Sequence, residues 1–174
     1  MEAIFKRDWY RYKKREFKII NYFELFFSKT MMYLYAGRKS VLDNTSSKIW
    51  KIIKTYYGRK MCNEIEFKNI QQGLVLMHPY GITVNPKAIL GKDITLFKGC
   101  TIGSVRSGKS AGTPIIGDRV TICVNATVVG GISVGDDVLI AAGAFVDFNV
   151  PNNSVVIGNP GVIHHKIDAS YDYI

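Results

Sequence analysis

Aliphatic residues recur at every sixth position through the second half of this chain: Val84, Leu90, Leu96 and Ile102, then Ile116, Ile122, Val128, Val134, Ile140 and Val146. Two positions earlier runs a second series of small or aliphatic residues, namely Ala88, Ile94, Cys100, Pro114, Val120, Ala126, Ile132, Val138 and Ala144. Glycine follows the aliphatic at 91, 103, 117 and 135. An amphipathic helix repeats near every 3.6 residues and a half-buried strand every 2, so neither accounts for a period of six. Triangular coils do: each hexad supplies one short strand and one corner, and the repeated aliphatic points into a narrow prism. The pattern predicts a parallel β-helix of hexapeptide type.

Upstream, residues 3 to about 60 read as two or three helices. Asp43-Asn44-Thr45-Ser46-Ser47 offers cap and turn chemistry ahead of Ile49, Trp50, Ile52 and Ile53, and Tyr57-Gly58 is expected to close that helix. The coils start near Cys62, because Ile70, Leu76 and Ile82 hold the phase of Ala88 and Ile94; about four coils fit before Val150. Two interruptions stand out. Ile102 and Ile116 are 14 residues apart, so the segment 103–114 is extruded as a flexible loop carrying Arg106 and Lys109. His78 falls where the rhythm places an inward aliphatic, and Pro79-Tyr80-Gly81 bends the chain directly after it. The expected organisation is a helical subdomain at 1–61, the β-helix at 62–150, and a closing segment and tail at 151–174.

Charge sharpens this division. Of the net +9, residues 1–60 hold 15 Lys/Arg against 5 Asp/Glu, interleaved with aromatics as in Phe5-Lys6-Arg7-Asp8-Trp9-Tyr10. No nucleic-acid recognition motif accompanies the cations, so no nucleic acid is expected as a partner. Two readings stay open: a face for peripheral contact with anionic lipid or a lipid-linked sugar, and a solvated helical face with its aromatics packed on the β-helix. The most apolar early segment, Phe17 to Tyr35, is broken by Lys18, Glu24 and Lys29 and is too charged to span a bilayer. Three cysteines without metal-ligand spacing (Cys62, Cys100, Cys123) fit reduced thiols in a cytoplasmic protein.

Little conventional catalytic machinery is visible. Gly103 and Gly108-Lys109-Ser110 match a phosphate loop literally, but that motif needs a helix beginning at its serine, and Pro114 follows in a strand position. Metal chemistry is poorly served, since His164 and His165 are adjacent in the tail. His78 is the histidine among the coils, and imidazole is the side chain suited to taking a proton near pH 7.

The run from Gly73 to Val84, which contains Met77-His78-Pro79-Tyr80-Gly81, resembles the catalytic coil of the serine acetyltransferase branch of hexapeptide-repeat acyltransferases. The likeness continues through Gly99-Cys100-Thr101-Ile102-Gly103 to Gly158-Asn159-Pro160-Gly161-Val162-Ile163, the family's closing motif. The short basic N-terminus is similar to that of small bacterial relatives that acetylate sugars during surface-polysaccharide assembly. The resemblance implies a left-handed parallel β-helix with an N-terminal helical subdomain, assembled as a homotrimer. It also implies acetyl-CoA as donor, bound in grooves between subunits, with no metal.

By the same resemblance His78 is the general base. Its orienting carboxylate would be Glu64, with Asn63 standing at the ungapped position, while Met77 replaces the acid that precedes the family histidine. Val124 and Ala142 match the small residues beside the pantetheine arm, and Pro160, His165 and Lys166 match the closing segment near the nucleotide. Tyr80, Arg106 and Lys109 fall on the acceptor side. An Arg-His pair that receives serine's carboxylate in the family is replaced by Gly112 and Thr113. The expectation is therefore acetyl transfer to a sugar hydroxyl, with serine O-acetylation as the alternative and a non-catalytic trimeric scaffold as a further one. The same chemistry serves amines, so O- and N-acetylation stay open.

Overall fold

The computed structural model describes residues 2–42 and 46–173. Among the described residues four helices precede the strands: α1 (Glu2–Lys13), α2 (Asn21–Phe27), α3 (Lys29–Ser40) and α4 (Ser47–Met61). Of the proposed cap segment 43–47, residues 43–45 lie outside the described residues, and Ser46 stands at the N-cap position of α4. The helix does not end at Gly58 as the turn signal suggested. Gly58 stays helical, and a Cβ there would meet Asn63 O at 3.1 Å and the Tyr33 ring at 3.3 Å. Glycine here serves close packing rather than a stop. Cys62, in the left-handed conformation at φ 53°, closes the helix instead.

The strands form a left-handed parallel β-helix with three faces. The first face stacks Glu64–Ile65, Thr83–Val84, Thr101–Gly103, Thr127–Val129 and Phe145–Val146. The second stacks Ile89–Leu90, Ile115–Ile116 and Ser133–Val134, extended by bridges Ile70↔Leu90 and Val134↔Val150. The third stacks Val75–Met77, Thr95–Phe97, Thr121–Ile122, Val138–Ile140 and Ser154–Ile157, with Val162–His165 antiparallel on its last edge. Each face thus has five levels where about four coils were expected, the last being completed by Ser154–Ile157. Every repeated aliphatic from Val84 to Val146 is buried.

Three of the four glycines that follow the aliphatics have a common cause; the fourth, Gly103, faces Val129 instead. A Cβ on Gly91, Gly117 or Gly135 would meet Asp118 Oδ1, Asp136 Oδ1 or Asn152 Oδ1 of the next coil at 2.2 to 2.4 Å. Those oxygens accept from the N–H of Lys92, Asp118 and Asp136 in turn, at 2.7 to 2.9 Å. One corner of the prism is therefore an oxygen ladder, and glycine makes room for it. Such bonds, charge-assisted at Asp118 and Asp136 and neutral at Asn152, satisfy backbone donors that a tight corner would otherwise strand.

The helices sit on the first coils. Asp8, fully buried, accepts from the N–H of Gly73 and Leu74 at 2.7 and 2.8 Å and from the Arg38 guanidinium at 2.8 and 3.1 Å. Arg38 also donates to the C=O of Ile70 and Gln71 at 2.6 Å. Arg11 donates to the C=O of Gly73 and Ile94 and to Thr95 Oγ1, and Arg7 pairs with Asp93 at 2.8 Å. Part of the basic N-terminal charge is thus consumed internally. Phe5, Trp9, Phe17, Tyr35 and Trp50 join the core through edge-on and tilted ring contacts.

Candidate functional site

His78 does not point into the prism. Leu76 takes the inward place on the third face, level with Leu96, and the next strand-borne aliphatic is Val84, level with Ile102. The corner between them is longer than its counterparts, and Ile82 fills the interior place that keeps the sequence phase. His78 is left on the outside, exposed, with φ 51°. A histidine in the left-handed region is tolerated only where surrounding bonds hold the turn.

Those bonds come largely from Asn63. Its side chain, nearly buried, donates from Nδ2 to Pro79 C=O at 2.8 Å and accepts at Oδ1 from Ile82 N–H at 2.9 Å. Gly81 N–H donates to Met61 C=O, and Tyr80 N–H to His78 C=O. Asn63 therefore clamps the backbone on either side of Tyr80 and Gly81. Glu64, one residue on, is exposed and lines a cleft of about 750 Å³ between α4 and the first face, with Arg59, Cys62, Asn63, Thr83 and Asn85. Of the two residues offered as orienters, one braces the turn and the other faces the adjoining cleft.

The corner carrying His78 continues along one edge of the prism. Gly99 N–H donates to Tyr80 C=O, Asn125 N–H to Lys98 C=O and Gly143 N–H to Val124 C=O, at 2.9 to 3.1 Å. Tyr80, Lys98, Val124 and Ala142 are thereby stacked on successive coils. With strands about 4.8 Å apart, three steps carry this edge about 14 Å from the His78 corner to Ala142. Lys98 is a member of this edge that the sequence reading missed; its only signal was its position one residue before the corner glycine Gly99. Near the same end, Pro160, His165 and Lys166 are exposed on the closing hairpin and just beyond it, where Lys166 N–H donates to Asn153 C=O.

The extruded loop is pinned by reciprocal backbone bonds between Val105 and Gly112 at 2.9 and 3.1 Å. No helix begins at Ser110, so the phosphate-loop match has no phosphate-loop geometry. Arg106, with Gly112 and Thr113, lines a groove of about 550 Å³ that also takes in Asn85 and Lys87. Lys109 is exposed elsewhere on the loop. Among the described residues no group of three His, Cys, Asp or Glu could hold a metal ion, and no helix is long and apolar enough to cross a membrane.

No family model matches this chain. Among curated proteins, the serine acetyltransferase of Helicobacter pylori is 36% identical over 90 residues, covering 52% of this chain and 53% of that protein. The chain thus spans about half the length of that relative. Among solved structures, Neisseria gonorrhoeae serine acetyltransferase in complex with serine superposes with a TM-score of 0.74 at 24% identity, covering 94% of this chain and 68% of that one. Serine acetyltransferase from Brucella abortus in complex with coenzyme A gives a TM-score of 0.74 at 24% identity, covering 95% and 68%. These two likenesses show the fold alone, a left-handed parallel β-helix with a helical N-terminal region. The expected sugar acceptor is overturned by the curated relatives, which are serine acetyltransferases. That expectation rested on Gly112 and Thr113 replacing a cationic pair, yet Arg106 brings a cation to the same groove.

Proposed function

We propose that this protein transfers the acetyl group of acetyl-CoA to the hydroxyl of serine, with His78 as general base. The observation that carries the reading is the single prism edge that runs from the His78 corner through Tyr80, Lys98 and Val124 to Ala142. It offers a donor thioester a straight path past mostly uncharged positions, ending at an imidazole. The names of the curated relatives supply the acceptor.

In this reading the His78 imidazole accepts the proton of the serine hydroxyl as its oxygen attacks the thioester carbonyl. The C–S bond breaks, the thiolate of CoA leaves, and the imidazolium returns the proton to sulfur. O-acetylserine and CoA are the products. Asn63 acts as a positioning residue, holding the turn that presents His78. Arg106 pairs with the serine carboxylate in place of the absent Arg-His pair. Val124 and Ala142 flank the pantetheine arm, while Pro160, His165 and Lys166 lie toward the nucleotide, where Lys166 faces phosphate charge.

An exposed general base gains its low-dielectric surroundings from a second protomer, so the working unit is a homotrimer. Ile89 and Ile115 support this, since both project from the second face into solvent in a lone chain. A particle of 19.5 kDa by light scattering at micromolar concentration would refute the trimer.

The test is CoA release from acetyl-CoA and L-serine. His78→Ala is expected to lower turnover by roughly 10²–10⁴-fold while leaving the assembly intact. Arg106→Ala is expected to raise KM for serine more than it lowers kcat. No CoA release with L-serine, or full activity in His78→Ala, would overturn the proposal.

A further inference from the structure

We propose that residues 19–27 form a docking surface for an anionic lipid bilayer, holding the protein against the membrane face without crossing it. Helix α2 buries only Asn21 and Leu25 against the rest of the protein. The opposite side is almost wholly apolar and open: Ile19 is 87% exposed, Ile20 77%, Phe23 68%, Phe26 73% and Phe27 78%. Five large apolar side chains so exposed within nine residues are unusual for a surface in water. Phe23 and Phe27 already touch, with ring centroids 5.2 Å apart, so the patch is continuous.

Charge complementarity selects the occupant. Lys18 and Lys29 stand exposed at the two ends of the patch. The acid inside it, Glu24, is engaged by Arg15 and by Asn21 Nδ2, which holds its carboxyl below the ordinary carboxylate range. The patch therefore shows a bilayer apolar rings framed by cations, the arrangement that favours anionic headgroups at the interface. A second copy is the less suitable occupant. It would bring its own Lys18 and Lys29 against these, together with the same surplus of 15 Lys/Arg over 5 Asp/Glu in residues 1–60. The peripheral contact expected of the whole basic third is thus narrowed to one short helix and the turn before it. On the remaining helices Phe5, Trp9 and Tyr33 are buried, and the exposed rings are the hydroxyl-bearing Tyr10 and Tyr56.

The experiment is co-sedimentation of the full chain with vesicles of phosphatidylcholine alone and with added phosphatidylglycerol, at low and high salt. Phe26→Ser/Phe27→Ser, which leaves net charge unchanged, is compared with Lys18→Glu/Lys29→Glu. All four positions are exposed, and circular dichroism and the CoA-release assay check that folding and the catalytic site are intact. Binding to phosphatidylglycerol vesicles is expected to fall at least about tenfold in the phenylalanine variant. In the lysine variant the loss should be similar at low salt and vanish at high salt, where screening removes the charge contribution. Equal, negligible binding to both vesicle types overturns the proposal. So does binding that the phenylalanine variant leaves untouched. Self-association above the trimer that disappears in the phenylalanine variant, without vesicle binding, assigns the patch to a second copy and overturns it as well.

Discussion

Replacing Asp8 with alanine is expected to be among the most damaging single changes in this protein, although the residue lies far from any proposed chemistry. Its carboxylate joins three things: Arg38 on α3, the N–H groups of Gly73 and Leu74 entering the first coil, and α1 itself. Removal leaves the guanidinium buried without its counter-charge and two backbone donors without partners. Breaking a buried pair from one side costs about 3–5 kcal/mol. Stranded donors add to this, although Arg38 keeps its bonds to Ile70 and Gln71. We expect about 4 kcal/mol, which for a chain of this size corresponds to a fall in Tm of about 8–16 °C. Trp9 is fully buried beside the pair, so its fluorescence reports directly on the helical layer during urea or thermal unfolding. The double variant Asp8→Ala/Arg38→Met removes both charges and is expected to lose less than the sum of the two single losses, by about 1–3 kcal/mol. A loss under about 1 kcal/mol in Asp8→Ala would refute the reasoning. Additivity within about 0.5 kcal/mol would refute it equally.

Cysteine chemistry gives a second expectation: Ellman's reagent should find one fast thiol per native chain, at exposed Cys62, while Cys100 and Cys123 react only on unfolding. Burial pushes the Cys100 thiol up to about 12 and raises Cys123 as well, so neither forms thiolate near neutral pH. A third concerns the tail, which docks through Asp137. Burial opposes the charge of this carboxyl, but bonds from the Ser170 hydroxyl and from the N–H of Ser170 and Ala169 prevail and hold it below its ordinary value. A lowered acid stabilises the folded state above its unfolded value and loses that contribution as pH falls through the folded one. Protection of the Ala169 and Ser170 amides against exchange should therefore fall below about pH 4, and Asp137→Asn should flatten that dependence; protection unchanged in the acid would contradict it.

The hexad aliphatics carried the architecture because a prism interior admits only one kind of side chain at one spacing, and that spacing is written in sequence order. Local chemistry was legible on the same terms. Pro114 excluded a helix after Ser110, and the irregular step from Ile102 to Ile116 announced the extruded loop. Where the reading failed, the cause was a partner distant in the chain. Gly58 looked like a helix stop because nothing in the sequence says that Tyr33 and the Asn63 carbonyl press on it. His78 looked inward because the phase was counted through a corner whose extra length is absorbed outside the prism, where Asn63 braces it. Nothing in the sequence sets Asp8 and Arg38 apart from the other charges of the basic segment; only packing of α1 and α3 on the first coil makes them a buried pair. The edge that stacks Tyr80, Lys98, Val124 and Ala142 has no sequence signature either, since hydrogen bonds between coils bring together residues that a linear pattern keeps a full turn apart.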